Sequence, residues 1–422
     1  MSLEKKSYKG TRDLYPEDMR LRNYIFAKWR VVCEKFGYQE YQAPLLEPLA
    51  TYAAKSGEEI VNDQTFSFTD RGGREMSIRP EMTPSISRMV AARRQEMPYP
   101  ARLYSIANFM RYERPQHGRE REFWQLNFDI FGAAEVYADL EILEMSHEIL
   151  REFGATDDMF TLKVNDRRLT DFVFREYMKL TENETFATIK LMDRYDKISR
   201  KEFEAEAIEI REDFDFAKFD ALLNAQTISD LPSEIRESDF AKNLETLLEM
   251  LKKSGITNAK YDPTLMRGFD YYTGTVFEIF DEAPENRRAM FGGGRYDGLV
   301  GMFGVEDLPV VGAAPGETMF VEFLRAHKLV PELDSTVDVV VVPFCDVAEI
   351  VKKLRENGIR VAVDFTNRKI DKKIKSAVKS GVSHLLIVGE DEIAKGKFPL
   401  KNLAKNEQIE LSLDDIVAKL SR

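Results

Sequence analysis

Between Phe123 and Ile130 the chain alternates strictly, with Phe123, Gln125, Asn127 and Asp129 on one side and Trp124, Leu126, Phe128 and Ile130 on the other. A period of two marks a strand with an apolar face for the core and a polar face turned toward something else. The residues upstream alternate as well: Ile106, Asn108, Met110 and Tyr112 against Phe109, Arg111 and Glu113. Between the two runs lies a stretch, 114–121, that holds proline, glycine and several cations. The pattern predicts an antiparallel hairpin whose polar face gathers Arg111, Glu113, Gln125 and Asp129. Solvated hairpin faces usually carry Thr, Lys and Glu. A guanidinium, an amide, two carboxylates and the ring of Phe123 suit a charged, planar ligand better, although a solvated face with chance charges remains the alternative for the hairpin alone.

The rest of the chain supplies further elements. Residues 19–36 repeat apolar positions at helical spacing and stop at Gly37, a favoured place for a helix end. The stretch 38–49 reads as a strand carrying Pro44, which cannot donate to a ladder and so belongs at an edge or interface. Phe66–Ile78 reads as a hairpin turning at Gly72 and Gly73. In RPEMTP, Thr83 is placed to cap a helix with Pro84 at its first position. Glu81, just before it, serves either the local structure or a ligand's ammonium group. Another amphipathic helix is expected over 136–153. Residues 168–255 change to long, carboxylate-rich helical patterning with few glycines, and are expected to form a helical insertion. Glycine then returns in LMRGFDYYTGTVFEIF, FGGGRYDGLVGMFG and VVGAAPGETMF. Arg267 sits there among apolar residues and glycines, an expensive place for a cation unless an anion meets it. Both a ligand and a buried carboxylate partner satisfy that condition. From residue 334 the runs VDVVVVPF, IRVAVDFT and HLLIVG alternate with helical segments, which predicts a separate small α/β domain built on parallel strands.

Composition narrows the class. A chain of 422 residues exceeds one compact core, so two or three domains are expected. No apolar run reaches the length of a membrane span, and no secretory leader is apparent. Cys33 and Cys345 are far apart in apolar surroundings, and four scattered His form no metal-binding pattern, so a reducing, cytoplasmic setting is expected. The net charge of −12 argues against wholesale nucleic-acid binding. It is unevenly spread: residues 335–422 hold 16 Lys/Arg against 13 Asp/Glu, while the rest holds 45 against 60. Arg368, Lys369, Lys372, Lys373, Lys375 and Lys379 lie on or before one helix of the small domain. Such a helix is usually a solvated face, and it also suits a phosphate backbone.

Taken together, the motifs resemble the histidyl-tRNA synthetases, a family of class II aminoacyl-tRNA synthetases. MRYERPQHGREREFWQLNFDIFG is similar to the class II motif 2, LMRGFDYYTGTVFE and GGGRYDGL to the two histidine-specific signatures, the Pro44 segment to motif 1, and RPEMT to the amino-acid-binding turn. The resemblance implies an α+β class II catalytic core built on an antiparallel sheet (1–167 and 256–326), a helical insertion (168–255) and a C-terminal α/β anticodon-binding domain (334–422). It implies a ligase that joins L-histidine to tRNA(His) at the expense of ATP with Mg2+, working as a homodimer with no membrane partner. By position, Arg111 would contact the α-phosphate, Glu113 the adenine amino group, Phe123 the base and Arg119 the outer phosphates. Glu81, Thr83, Gln125 and Asp129 would hold the α-ammonium and neighbouring groups of histidine, with Tyr271, Tyr272 and Tyr296 lining the imidazole pocket. Arg267 would face the reacting carboxylate and α-phosphate, where many class II enzymes place a metal ion. Gln116 and Arg121 would meet the tRNA acceptor end. No protein side chain is assigned to a metal.

One position departs from the pattern. Motif 3 normally ends in an arginine that clamps the γ-phosphate, and aligning GAAPGETMF puts Met319 there. The alternative from another class is a catalytically silent histidine- or tRNA-sensing relative, such as the regulatory subunit of histidine biosynthesis. That relative lacks the histidine signature and the last domain, both of which this chain resembles.

Overall fold

The computed structural model describes residues 4–53, 64–192, 194, 195, 198–266, 271–286 and 288–421. They form two compact units, Met1–Val330 and Pro331–Arg422. Among the described residues no helix is long and apolar enough to cross a membrane.

Eleven strands of the first unit are β1 Gln39–Glu40, β2 Leu46–Pro48, β3 Ser67–Thr69, β4 Glu75–Ile78, β5 Ala101–Met110, β6 Glu122–Phe131, β7 Phe160–Asp166, β8 Ala259–Tyr261, β9 Thr275–Asp281, β10 Ala289–Arg295 and β11 Val310–Ala313. Eight of them make one sheet in the order β1-β5-β6-β11-β10-β9-β7-β8, while β2, β4 and β3 form a small separate sheet. The large sheet is antiparallel except at its edges, where β1 runs parallel to β5 and β8 parallel to β7. The expected hairpin is β5–β6, paired from Ala101 opposite Phe131 to Met110 opposite Glu122.

Helices cover one face of this sheet. Pro16–Lys35 begins with Pro16 in its first turn and buries Ile25, Phe26, Trp29 and Val32. Together with helices Val136–Arg151 and Glu317–Ala326 it packs on Leu126, Phe128 and Ile130 of β6, all at most 1% exposed. That face follows the alternation read from the sequence. The opposite face is not solvated: Asn127 and Asp129 are buried. Met82, Met89 and Tyr41 cover Ala107, Phe109 and Phe123, while Tyr271 and Tyr296 cluster with neighbouring apolar side chains. A second layer therefore closes over the polar row, which local alternation cannot report.

Two local expectations change. Pro44 does not lie within a strand but in the break between β1 and β2, because it has no N–H to give to either ladder. The helix after Glu81 runs Thr83–Ala92 with Met82 as its N-cap and no side-chain cap bond. Thr83 thus stands in the first turn rather than capping it. The segment between β7 and β8 is helical, with Glu182–Met192, Arg200–Ile210, Phe216–Leu223 and Asp239–Lys253 among its helices. Phe219 makes ring contacts with both Phe203 and Phe214 there, and all three are buried.

The second unit holds β12 Val339–Pro343, β13 Val361–Val363, β14 His384–Val388, β15 Phe398–Asn402 and β16 Glu407–Leu411, in the order β13-β12-β14-β15-β16. The three Val/Ile-rich runs are mutually parallel, as expected, and β15 and β16 extend the sheet antiparallel. Helices Ala348–Glu356 and Ile370–Lys379 follow β12 and β13.

Candidate active site

Sheet register brings the candidate residues together. Asp129 on β6 lies opposite Leu103 on β5 and Gly312 on β11; Gly312 in turn pairs with Gly294 on β10, and Gly294 with Val276 on β9. The glycines make a low floor. A Cβ on Gly312 would stand 1.9 Å from Asp129 Oδ1, and one on Gly294 would stand 2.9 Å from the ring of Tyr272. Only glycine lets the carboxylate and the ring lie over the sheet at these two positions.

Around this floor the Tyr296 hydroxyl donates to Asp129 Oδ1 and the Tyr271 hydroxyl donates to Glu81 Oε2 at 3.2 Å. The ring of Tyr271 lies edge-on to Tyr296 at 5.6 Å and 5.0 Å from Tyr272. Asp129, Glu81, Tyr271 and Tyr296 are all buried. Burial pushes the Asp129 carboxyl up to about 7, with the Tyr296 hydroxyl opposing the shift. Burial and the Asp129 charge likewise raise the Tyr296 phenol. The result is a largely buried cluster of two carboxylates and three rings, suited to a small planar cation or a ring with N–H donors.

Farther along the same face the chemistry changes. Gln125 follows at one strand repeat from Asn127, and Phe123 one repeat beyond that. The Arg111 guanidinium lies 5.3 Å from the centre of the Phe123 ring, and its Nε donates to the Pro80 carbonyl at 2.9 Å. Glu113 sits 3.9 Å from Arg111 and 3.2 Å from Arg119. A ring platform, two guanidiniums and a carboxylate acceptor stand here within one hairpin. This is the inventory that a purine and its phosphates require.

Thr83 lies two residues beyond Glu81 at the start of its helix. Gln116 accepts from Arg288 Nη2 at 3.0 Å, and Arg121 is held between Tyr8 and Tyr112. Arg267 lies outside the described residues. Met319 is buried in the first turn of Glu317–Ala326, and a Cβ on Gly118 would meet its Sδ at 2.3 Å, so the 114–121 loop rests on this methionine.

Reading by period also passed over polar groups on this face. Among the described residues, Tyr41 Oη and Asn127 Nδ2 are buried without a hydrogen-bond partner. Burial, and after it the Asp129 charge, raise the Tyr41 phenol, and the Tyr41 ring packs on the clusters that cover this face. Glu278 on β9 pairs with Gly292 and shares its side of the strand with Val276. Asn127 lies in the polar row of the alternation, whereas Tyr41 and Glu278 give no local signal in the sequence. Among the described residues no group of three or more His, Cys, Asp or Glu stands ready for a metal ion.

The family model described as histidyl-tRNA synthetase matches residues 10–316, across both halves of this site, and the anticodon binding domain model matches 338–422. The chain belongs to the histidyl-tRNA synthetase family. It is 40% identical to the histidine–tRNA ligase of Leptospira biflexa, covering 99% of this chain and 98% of that one. It is 36% identical to the ligase of Halobacterium salinarum, covering 95% and 94%. The histidyl-tRNA synthetase of Nostoc sp. PCC 7120 has the same fold, with a TM-score of 0.78 over 99% of each chain at 23% identity. Met319 lies just beyond the residues matched by the synthetase model and packs against the loop at Gly118.

Proposed function

We propose that the protein is a histidine–tRNA ligase that activates L-histidine with ATP and then esterifies it to the 3′ end of tRNA(His). The observation that carries this reading is the single face of β5–β6 and its loop, where the Asp129–Tyr296 and Glu81–Tyr271 pairs lead into Arg111, Glu113 and Phe123. One end suits an amino acid with an N–H ring, the other a nucleotide. Similarity to histidine–tRNA ligases over nearly the whole chain supports the same reading and favours it over a silent regulatory relative.

In the first step a histidine carboxylate oxygen attacks the ATP α-phosphorus. The bond to the bridging oxygen breaks, pyrophosphate leaves and histidyl-adenylate remains. In the second a ribose hydroxyl of the tRNA terminus attacks the acyl carbonyl and AMP leaves. The protein's task is positioning and charge stabilisation. Arg111 and Arg267 stabilise the α-phosphate as charge crowds there, Glu113 accepts from the adenine amino group, Phe123 stacks on the base and Arg119 reaches the outer phosphates. Glu81, Thr83 and Gln125 hold the α-ammonium end. Asp129 accepts from an imidazole N–H, with Tyr271, Tyr272 and Tyr296 around the ring. Mg2+ commonly binds through substrate phosphates and one or two carboxylates, so it belongs with ATP, and Glu278 is a carboxylate on the sheet face that carries the site. Gln116 faces the acceptor end.

The second unit reads the anticodon region, with Arg368, Lys372, Lys375 and Lys379 against phosphates; Lys373 does not join them, because it is buried and donates to the Asp364 carbonyl at 2.9 Å. The N-terminal helix and the Pro44 segment form a two-fold dimer interface, so light scattering should give about twice 48.7 kDa, and a stable monomer at micromolar concentration would count against it.

The test is histidine-dependent ATP–pyrophosphate exchange by the full chain, together with tRNA charging by the full chain and by a form ending at Val330. The full chain should do both. The shorter form should exchange pyrophosphate near the parent rate and charge tRNA at least ~10-fold more slowly, as expected when several phosphate contacts are lost. No histidine-dependent exchange by the folded full chain overturns the ligase. Unchanged charging by the shorter form overturns the anticodon assignment, and circular dichroism melts show whether truncation merely unfolds the rest.

A further inference from the structure

The extended N-terminal segment ahead of Pro16–Lys35 crosses the root of the 114–121 loop. Tyr8 and Thr11 close a tight turn, with Thr11 N and Oγ1 both donating to the Tyr8 carbonyl at 2.9 and 2.8 Å. At the tip of that turn the Gly10 carbonyl accepts from Arg121 N at 2.7 Å and from Glu122 N at 3.3 Å. Gly10 has φ +88°, and a Cβ there would meet both Arg121 Cγ and Pro115 Cγ at 2.8 Å. The contact therefore needs a glycine on two counts, conformation and clearance. Beyond the turn, Arg12 Nε pairs with Glu120 at 2.5 Å, and Thr318 donates to the same carboxylate at 3.3 Å.

Arg121 is the centre of this clasp. Its Nη1 donates to Tyr8 Oη at 2.7 Å and to the Lys9 carbonyl at 3.4 Å, and its guanidinium lies 4.2 Å from the Tyr112 ring centre and 5.2 Å from that of Tyr8. Its Nε donates to the Glu113 carbonyl at 3.1 Å, and its own carbonyl accepts from Arg111 N at 2.8 Å. Two of the residues assigned to the nucleotide are thus tied at their backbones to this position, Glu113 through the Arg121 side chain and Arg111 through the Arg121 main-chain carbonyl. Its fork is committed to protein acceptors and two rings, which leaves it poorly placed to reach out to a nucleic acid.

We propose that Arg121, clasped by the Tyr8–Arg12 turn, is a positioning residue that sets Arg111 and Glu113 for ATP, making the N-terminal segment part of the nucleotide site. This rests on the ligase reading above. A guanidinium is required because it bonds in two directions while stacking between two rings, and an ammonium cannot do both. Small displacements of positioning groups cost up to ~10²-fold in rate, so an effect of about ten- to a hundredfold is expected.

Steady-state exchange kinetics of the full-length Arg121→Ala, Arg121→Lys and Gly10→Val variants test it. In Arg121→Ala the KM for ATP should rise about tenfold or more while the KM for histidine stays at the parent value and the melting temperature moves little. Arg121→Lys should recover only part of the loss, and Gly10→Val, which leaves Arg121 in place, should shift the ATP KM in the same direction. An unchanged ATP KM in Arg121→Ala or in Gly10→Val overturns the proposal. So does a defect confined to the KM for tRNA, which would make Arg121 an acceptor-end contact. A parent protein with no histidine-dependent exchange would instead sink the ligase reading, and ATP affinity by calorimetry would still decide whether the clasp positions a nucleotide.

Discussion

Replacing Arg267 by alanine is expected to lower histidine-dependent pyrophosphate exchange by on the order of 10²–10³, the usual effect of removing one donor aimed at developing charge. The residue stands in LMRGFDYY, among apolar residues and a glycine in the sequence. A guanidinium in such company needs a negative partner. In the proposed reaction that partner is the carboxylate and α-phosphate pair, whose oxygens crowd together as the new bond forms. A fixed cation there stabilises the transition state more than the separate substrates, so turnover should fall more than affinity. Lysine should restore only part of it, because a point charge cannot span two oxygens as the planar fork does. A melt close to the parent's with collapsed exchange is the expected pair of results. If Arg267 served a structural carboxylate instead, the alanine variant would melt markedly lower, and a normal melt with parental exchange would remove it from the mechanism.

Asp129→Asn is expected to separate stability from activity. Burial raises this carboxyl from its ordinary 3.8 to about 7, so between those values the folded protein holds a proton that the unfolded chain has released. Folding stability attributable to this group is therefore highest in acid, declines as pH rises from about 4 to about 7, and stays low above that. A neutral amide removes the cost of the buried charge. The variant should melt higher than the parent at pH 8, and the difference should be smaller at pH 5, vanishing only below about pH 4. Histidine recognition should move the other way. A hydrogen bond to a charged acceptor contributes about 1.5–3 kcal/mol, so kcat/KM for histidine should fall about ten- to a hundredfold at pH 8 while the KM for ATP holds. Parental histidine kinetics in the variant would show that Asp129 serves only the Tyr296 hydroxyl. A lower melt at both pH values would make that bond its main role.

Both substitutions act on residues that stand out in the sequence for different reasons. Asp129 drew notice through alternation on a strand, Arg267 through its apolar and glycine-rich neighbours. The clasp around Arg121 had no such signal, since Tyr8, Gly10 and Arg12 lie more than a hundred positions before the groups they grip. Gly10 reads in the sequence as one glycine near a terminus, and its need for clearance arises only when Pro115 and Arg121 are laid against it.

The sequence by itself determined what each segment does locally and how the motifs follow one another. Period-two alternation sets β5 and β6, since a one-residue slip would put Leu126, Phe128 and Ile130 on the wrong face. Helical spacing set Pro16–Lys35 and Val136–Arg151, and the Val/Ile-rich runs set the parallel strands of the second unit. The order of the motifs was enough to indicate the family. Tertiary structure alone decided that β11, β10 and β9 lie beside the hairpin in the order that sets Gly312 and Gly294 along the row of Asp129. It also decided that Tyr41, Tyr271 and Tyr296 close over a face that alternation marks only as polar, and that a turn at Gly10 seats on the loop at Arg121. The reason is physical. Period reports which way a side chain points from its own strand, whereas burial, the raised carboxyl of Asp129 and the close approaches of glycine depend on groups brought there from elsewhere in the chain.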